Sequence, residues 1–405
     1  MQPLSKRILQ VLLFLVSSTV GFGQTYAIVA DRLIDGKSDQ AISNPTVIIR
    51  QGRIIDINFT RTIPDSAILI DLKGQTILPG LMDVHTHLLG VPGDYEKDLY
   101  DHSPAYRALR AVRNLKTALK NGITTIRDVC SEGAGFADVD LAKAVDSGFV
   151  EGPRVFPAGK GIAADGAYMP LGWDQNWTID LPAGTQYATG VQECVKAVRE
   201  QYSRGVRWIK MYADFATPTF SPEEMKAITG EARKLGLDVA AHANTKEGIQ
   251  WAIEAGARSI EHGRDFNDSL IRLALAHGVF WCPTLLTVER HPRPSLDSVH
   301  KYLNHAYKAK LPIVMGTDIG SAPWNLNETK ELEYYVRAVG MTPMDAIKTA
   351  TLHPASLLHV ENSLGQIKTG FIADLIAVPG NPLDDITLLQ HVSFVMKDGK
   401  VIKHL

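Results

Sequence analysis

The chain has little cysteine and almost no net charge. Its 405 residues include three cysteines, Cys130, Cys194 and Cys282. They are scattered, odd in number and without metal-site spacing, which indicates buried small side chains. No disulfide framework is expected, and at most one disulfide bond can form among them. The formal charge is −2 with no basic stripe, so nucleic acid is not an expected partner.

Long hydrophobic runs are missing after the first two dozen residues. Lys6 and Arg7 precede the apolar stretch 8–20, and small residues follow it. This pattern predicts a signal peptide over 1–23, cleaved near Gly23, and a periplasmic or secreted protein. A retained membrane anchor is the alternative, but the run is shorter than the roughly 20 residues that span a bilayer. We expect no stable membrane span after processing.

Both ends of the chain alternate β-branched runs with turn residues. Examples are 46–49 and 67–70 near the start and 373–378 near the end, and such runs are typical of strands and hairpins. We expect one small β-sandwich domain, built from 24–79 and 362–405.

The middle of the chain, 80–361, alternates apolar strands with amphipathic helical segments, and no internal repeat is found there. This alternation indicates parallel strands joined by crossover helices. Eight such units close naturally into a (β/α)8 TIM barrel of the α/β class. The predicted strands are 77–84, 123–129, 154–158, 206–212, 238–241, 259–261, 280–285 and 313–317. The predicted helices include 105–119, 191–203 and 221–235, the last with a capping box at its start.

Two histidines one residue apart, His85 and His87, follow the apolar run Thr-Ile-Leu-Pro-Gly-Leu-Met-Asp-Val. Residues i and i+2 of a strand point to the same face, so both imidazoles project together. A protein can offer two nitrogen ligands to one metal ion in this way. Taken alone, this histidine pair is only a weak indication of a metal site.

Other predicted barrel strands end in titratable side chains. Strand four carries Lys210, strand five ends in His242, strand six in His262 and strand eight in Asp318. Strand ends of this kind meet at one face of a barrel, where its chemistry gathers. Each residue also has a structural alternative, such as an ion pair between Lys210 and Glu261 or a turn cap at Asp318. Burying six such groups together is costly unless cations compensate them, which favours a metal site.

With these motifs the chain resembles the amidohydrolase superfamily, in its imidazolonepropionase-related and Xaa-Pro dipeptidase branch. The resemblance covers essentially everything after the predicted signal peptide. Its marks are Pro-Gly-Leu-Met-Asp-Val-His-Thr-His, Gly-Ile-Thr-Thr-Ile-Arg-Asp, Ile-Glu-His-Gly, Gly-Thr-Asp, Met-Thr-Pro-Met-Asp-Ala-Ile and Gly-Phe-Ile-Ala-Asp-Leu.

The resemblance implies a metal-dependent amidohydrolase with two divalent ions. Its implied ligands are His85, His87, Lys210, His242, His262 and Asp318. One ion would take the histidine pair and Asp318, and the other the histidines of strands five and six. Lys210 would bridge them as a carbamate formed with carbon dioxide, because an ammonium cannot ligate a cation. Zinc suits this set, with manganese, cobalt and iron as alternatives.

The implied reaction is hydrolysis of a C–N amide bond in a small molecule or dipeptide. A hydroxide bridging the metals would attack the carbonyl, with Asp318 as general base and then acid. The rival substrates are a cyclic amide or a lactone. Lys210 disfavours a mononuclear deaminase, and the β unit from both chain ends disfavours a phosphotriesterase. A non-catalytic scaffold is the alternative of a different class, and a homo-oligomer is compatible with the sequence.

Substrate contacts are expected from Tyr212, Tyr168 and Arg127. Tyr212 shares a strand face with Lys210, and its alternative is a packed aromatic ring. Tyr168 ends a loop after strand three in which relatives often carry a histidine; this loop has none, which weakens the dipeptidase assignment. Arg127 is either a wall for a substrate carboxylate or part of a supporting ion pair. Two segments, 173–177 and 287–300, are predicted to cover the face of the barrel where these strand ends meet.

Overall fold

The computed structural model describes residues 24–60, 62–93, 95–167, 184–215, 217–290 and 296–405. The predicted signal peptide, Tyr168 and the 173–177 cover lie outside these residues, as does part of the 287–300 cover. Among the helices that the structure describes, none has the length and apolarity to cross a bilayer. The three cysteines are buried and free.

The fold mixes strands and helices along the whole described chain. The strands are β1 (Thr25–Leu33), β2 (Ile42–Ser43), β3 (Thr46–Arg50), β4 (Arg53–Asn58), β5 (Ile68–Pro79), β6 (Leu81–Thr86), β7 (Ile123–Asp128), β8 (Arg154–Pro157), β9 (Gly161–Ala163), β10 (Thr185–Tyr187), β11 (Ile209–Tyr212), β12 (Val239–Ala243), β13 (Ser259–His262), β14 (Phe280–Cys282), β15 (Leu375–Pro379), β16 (Phe394–Lys397) and β17 (Lys400–His404). The helices are α1 (Tyr95–Asp101), α2 (Pro104–Lys120), α3 (Ala137–Asp146), α4 (Val191–Arg204), α5 (Pro222–Lys234), α6 (Lys246–Ala255), α7 (Asp268–His277), α8 (Leu285–Arg290), α9 (Leu296–Lys308), α10 (Lys330–Arg337), α11 (Pro343–Thr349) and α12 (Leu352–Leu357), with a 3-10 helix at Ile386–Gln390.

Strands from both chain ends pair in one eight-stranded sheet, in the order β17-β16-β15-β5-β1-β3-β4 with β2 on β1. Strand β5 joins the two ends, since it runs parallel to β1 and antiparallel to β15. The buried face of this eight-stranded sheet includes Ile28, Val47, Leu72 and Phe394. These strands pair in one continuous sheet, and strand pairing alone does not define two packed layers. The β-sandwich and its bounds, 24–79 and 362–405, therefore stay predictions.

The middle of the chain forms two parallel sheets, with orders β10-β9-β11-β12-β13-β14 and β6-β7-β8. Helices α2 to α7 connect successive strands, as the alternating pattern predicts. The expected eighth strand, 313–317, makes only isolated bridges to its surroundings. Ile313 bridges Trp281, and Val84 donates its N–H to Met315 (3.0 Å). This segment therefore lies between β14 and β6, but the described strands do not form a closed barrel.

Strand one begins later than the sequence indicates. Ile77 to Pro79 belong to β5 of the chain-end sheet, and β6 begins at Leu81. The break is at Gly80, where a Cβ atom would lie 2.3 Å from Oγ1 of Thr124. Only glycine fits there, so the turn passes directly from the chain-end sheet into the strand that carries the histidine pair.

Helix α5 begins as predicted, with Ser221 as its N-cap. The Ser221 hydroxyl accepts from the N–H of Glu224 (3.3 Å), and the Glu224 carboxylate accepts from the N–H of Ser221 (2.7 Å). This reciprocal capping box satisfies two otherwise unpaired donors at the helix start.

Candidate active site

All six predicted ligands line one cavity of about 340 Å³. They are His85, His87, Lys210, His242, His262 and Asp318. Each comes from the carboxyl end of a parallel strand or from the segment after 313–317, which explains their convergence. The strand pattern of the sequence predicts this meeting of strand ends at one face, and the structure brings the side chains together there.

The imidazoles form a row across the cavity. Ring centroids are separated by 5.4 Å between His87 and His85, 4.9 Å between His85 and His262, and 4.6 Å between His262 and His242. Asp318 closes one side, with Oδ1 3.1 Å from Nε2 of His87 and 3.7 Å from Nε2 of His85. One ligand atom each from His85, His262 and Asp318 lies within 4.8 Å of the others, which is close enough to share a cation.

Buried partners fix the orientation of three of the rings through Nδ1. His85 contacts Oε2 of Glu261 (2.7 Å), His87 contacts Oε1 of Glu132 (2.6 Å), and His262 contacts Oγ1 of Thr284 (2.8 Å). Metal-binding histidines are usually held in this way, with the second nitrogen turned to the ion.

The donor set fits a divalent metal. Nε2 of His85 is buried and has no hydrogen-bond partner among the described residues, a costly arrangement unless a ligand satisfies it. His242 differs from the other rings, because its Nε2 lies 3.0 Å from Nδ2 of Asn244 and its Nδ1 is the nitrogen left for an ion. Nitrogen donors with a carboxylate are ligands that zinc and related ions accept.

The protonation of the rings supports this fit. Burial and the charge of Lys210 lower the pKa of His85 to about 4, and burial also holds the pKa values of His242 and His262 well below the usual range. Neutral imidazole is the form that ligates. His87 differs, since Glu132 and Asp318 outweigh burial and raise its pKa to about 10. A cation at His87 must displace that proton.

Asp318 stays ionised in this environment. Burial opposes its charge, but the hydrogen bond from the protonated His87 and the charge of that ring hold its pKa well below the usual range. Ser321 also donates to Oδ1 of Asp318 (3.1 Å). The carboxylate is therefore available to a cation.

Lys210 is 1% exposed and lies on β11. Its predicted structural alternative, an ion pair with Glu261, is not found among the described residues, because Glu261 pairs with His85 and Arg127 instead. Burial lowers the pKa of the Lys210 amine, although the charges of Glu261 and Asp318 act against this shift. A larger fraction of neutral, nucleophilic amine follows.

Arg127 lies behind the site, where it makes the supporting ion pair that the sequence offers as the alternative to substrate binding. Its side chain is 0% exposed and does not line the cavity. The guanidinium donates to Oε1 of Glu261 (2.8 Å), to Oγ of Ser259 (3.0 Å) and to the carbonyl of Val84 (2.6 Å). Arg127 thus holds Glu261, which in turn holds the His85 ring.

The Glu261→Gln variant is expected to lower the free energy of unfolding by about 3 kcal/mol, because it leaves the buried charge of Arg127 uncompensated. Urea denaturation of the metal-free protein measures this change. Glu193→Gln is the matched control, since Glu193 and its partner Lys196 are exposed and such pairs contribute little. Equal stability of the two variants would contradict the role given to Glu261.

The backbone is strained around the cavity. Positive φ values occur at Glu132 (51°), His262 (66°), Thr284 (52°) and Asp318 (57°), a region that non-glycine residues rarely adopt and that β-branched threonine adopts least. All four residues line the cavity or hold a ring that does. Strain of this kind persists where the surrounding structure overdetermines the conformation, commonly at functional sites.

Tyr212 lines the cavity, as expected of a substrate contact, and its ring centroid lies 5.5 Å from those of Phe215 and His242. The cavity is also lined by Glu132, Phe215 and Arg264, which are not among the site residues predicted from the sequence. Glu132 and Arg264 stand within a few residues of a strand end, which is the signal that could have identified them.

Comparison with known proteins agrees with this geometry. The model of the amidohydrolase family matches residues 76–403. The chain belongs to the amidohydrolase family, and it is a metal-dependent amidohydrolase.

Individual relatives are enzymes of this family. The chain is 32% identical to ochratoxinase from Aspergillus niger over 378 residues, which cover 81% of this chain and 75% of that protein. It is 24% identical to imidazolonepropionase from Pyrobaculum arsenaticum, over 83% of this chain and 86% of the relative. A crystal structure of an Xaa-Pro dipeptidase with bound methionine in the active site is similar at a TM-score of 0.86 and 33% identity, covering 94% of this chain and 100% of that one.

Proposed function

We propose that this enzyme hydrolyses the amide bond of small, dipeptide-like substrates with two divalent metal ions, most suitably zinc. The observation that carries the proposal is the row of four imidazoles with Lys210 and Asp318 around one cavity. The likeness to an Xaa-Pro dipeptidase supports the substrate class.

The six cavity residues would hold two cations. His85, His87 and Asp318 are assigned to one ion, and His242 and His262 to the other. Lys210 would be a ligand of both as a carbamate, since its buried amine has a lowered pKa and the neutral form reacts with carbon dioxide. A carbamate replaces the ammonium, which cannot ligate, with two oxygens.

The protein's own groups then orient the substrate and move protons. Bound divalent ions supply a water of lowered pKa and polarise the substrate carbonyl. Asp318 takes the proton of the attacking water and delivers it to the nitrogen of the leaving amine. Tyr212 and Phe215 form the aromatic wall beside His242, and we assign the Tyr212 hydroxyl to a substrate oxygen.

The proposal also covers the fold around the site and the location of the protein. The two parallel sheets and segment 313–317 are taken together as a (β/α)8 barrel, and the chain-end sheet as its β-sandwich companion. The apolar stretch at the start of the chain supports export to the periplasm or the medium.

Ring opening of a cyclic amide or lactone is the second candidate. The similarity to imidazolonepropionase favours it, and the same groups can serve such a carbonyl. In that reaction the leaving atom stays attached to the product, so no free amino acid is released.

A substrate screen with zinc-loaded protein in bicarbonate buffer tests the proposal. We expect release of free amino acids from Xaa-Pro or Xaa-Arg dipeptides, measured by chromatography, and two ions per chain by plasma mass spectrometry. Opening of an imidazolone or lactone without such release would select the second candidate. Protein that takes up no transition metal would favour the scaffold alternative.

A further inference from the structure

Glu331 is a buried carboxyl group that the proposed mechanism does not use. It lies in the first turn of α10, is 0% exposed and does not line the cavity. A carboxyl group buried in this way is costly unless hydrogen bonds compensate it. The partners of Glu331 therefore indicate what the group is for.

The two oxygens of Glu331 accept from consecutive backbone N–H groups at the start of α8. Oε1 accepts from Leu285 (2.7 Å) and Oε2 accepts from Leu286 (2.6 Å). Both leucines are buried, and the first N–H groups of a helix have no acceptor within that helix. Glu331 thus caps α8 from a different helix.

Thr284 immediately precedes α8, in the position from which a threonine hydroxyl ordinarily caps a helix. Its hydroxyl lies instead 2.8 Å from Nδ1 of His262. Its φ is 52°, whereas a capping threonine has an extended backbone and a β-branched residue rarely becomes left-handed. The hydrogen bonds to Glu331 fix the two peptide groups that follow Thr284, so they hold this conformation in place.

The ring of His262 depends on the Thr284 hydroxyl for its orientation. The backbone of His262 is held separately, because its carbonyl accepts from Nε1 of Trp281 (2.9 Å). With Nε2 turned to a cation, Nδ1 carries the proton and the Thr284 oxygen accepts it. A Thr284 hydroxyl that rotated to cap α8 would leave this ring without its partner.

We infer that Glu331 is a positioning residue of the metal site, because its capping of α8 leaves the Thr284 hydroxyl free to hold the His262 ring toward a cation. The inference rests on the proposed function, which assigns His262 to an ion. It extends the site to a carboxyl group outside the cavity, whose effect on metal binding passes through Thr284.

The Glu331→Gln variant tests the inference. Its amide keeps one acceptor oxygen but turns an NH2 group toward the second N–H of α8. We expect zinc affinity, measured on the metal-free protein by competition with a chromogenic chelator, to fall about 10-fold, the lower end of the range for a residue that supports a ligating histidine.

Glu328→Gln is the matched control. Glu328 is 1% exposed and lies three residues before Glu331, but it accepts from Nδ2 of Asn121 (2.7 Å), the C-cap residue of α2. Its loss is expected to leave zinc affinity unchanged, whatever its effect on stability. Equal zinc affinity in the two variants would overturn the inference.

Variants of Thr284 test the second link, and they remain informative if Glu331→Gln does not fold. Thr284→Val keeps the shape of the side chain without the hydroxyl, and we expect it to weaken zinc binding about 30-fold. Thr284→Ser retains the hydroxyl and is expected to keep zinc affinity. A Thr284→Val protein with native affinity would refute the inference.

The double variant measures the coupling between the two residues. Adding Glu331→Gln to Thr284→Val is expected to cause no further loss of zinc affinity, because the contact through which Glu331 acts has already been removed. Losses that multiply would show that Glu331 acts independently of Thr284, which contradicts the assignment.

The unmodified protein separates this inference from the proposed function. Protein that binds zinc but cleaves no Xaa-Pro dipeptide would defeat the proposed amide hydrolysis, whereas the zinc affinities of the variants would still support or overturn the role of Glu331. Dipeptide cleavage by the unmodified protein, combined with native zinc affinity in Glu331→Gln, would remove the inference alone.

Discussion

The Asp318→Asn variant is expected to keep its metal and to lose about 10³ in kcat, within the range that a general acid–base residue contributes. The amide keeps the shape of the carboxylate and one oxygen for a cation, but it cannot accept a proton at neutral pH. His87 and Ser321 both contact Oδ1 of Asp318, and an amide oxygen at that position can preserve both contacts.

Steady-state kinetics and metal content are measured together on this variant. Asp268→Asn serves as the control, because Asp268 is an exposed aspartate paired with His305 and is expected to leave kcat unchanged. Near-normal turnover of Asp318→Asn with full metal content would remove Asp318 from proton transfer. Loss of metal with the activity would show that its main role is ligation.

Replacing Lys210 with Met is expected to abolish activity together with metal binding. Methionine has a similar length but no nitrogen to form a carbamate, so it would remove the ligand that we assign to both ions. Their affinity should fall by more than the roughly 100-fold that loss of a supporting partner causes. Metal analysis after dialysis and kcat/KM on the best dipeptide measure the two effects.

Lys246→Met provides the control, since Lys246 is exposed at the start of α6. Two further observations identify the carbamate. The native protein loaded in ¹³C-bicarbonate should show a carbamate carbon by NMR, and acetate or propionate should restore metal binding in part to Lys210→Ala by supplying two oxygens. A Lys210→Met protein that retains two ions would rule out the bridging role.

Much of the site could be predicted because strand geometry is periodic. The spacing of His85 and His87 places both rings on one face, and parallel strands bring their carboxyl ends to one edge. Lys210, His242 and Asp318 could therefore be assigned to the same cavity from position alone. The capping box at Ser221 was predictable for a similar reason, since it depends on four consecutive residues.

The remaining features depend on contacts that no short pattern encodes. Glu261 pairs with Arg127 and His85, not with Lys210, because buried charges take partners from distant strands. Glu132 lines the cavity because its backbone is left-handed. Glutamate does not favour this conformation, so its residue type gives no sign of it. Strands β9 and β10 have only three residues each, too few to show a period. The eighth predicted strand is limited to isolated bridges, and Asp318 leaves the extended region at φ 57°.

The position of β5 has a consequence for biosynthesis. This strand is complete at Pro79, but one of its edges is covered only by β15, which begins at Leu375. The ribosome therefore releases a long open strand edge well before its partner exists, and such edges favour aggregation of nascent chains. A chain that stops short of β15 should accumulate as insoluble material, even though every residue around the cavity has already been translated.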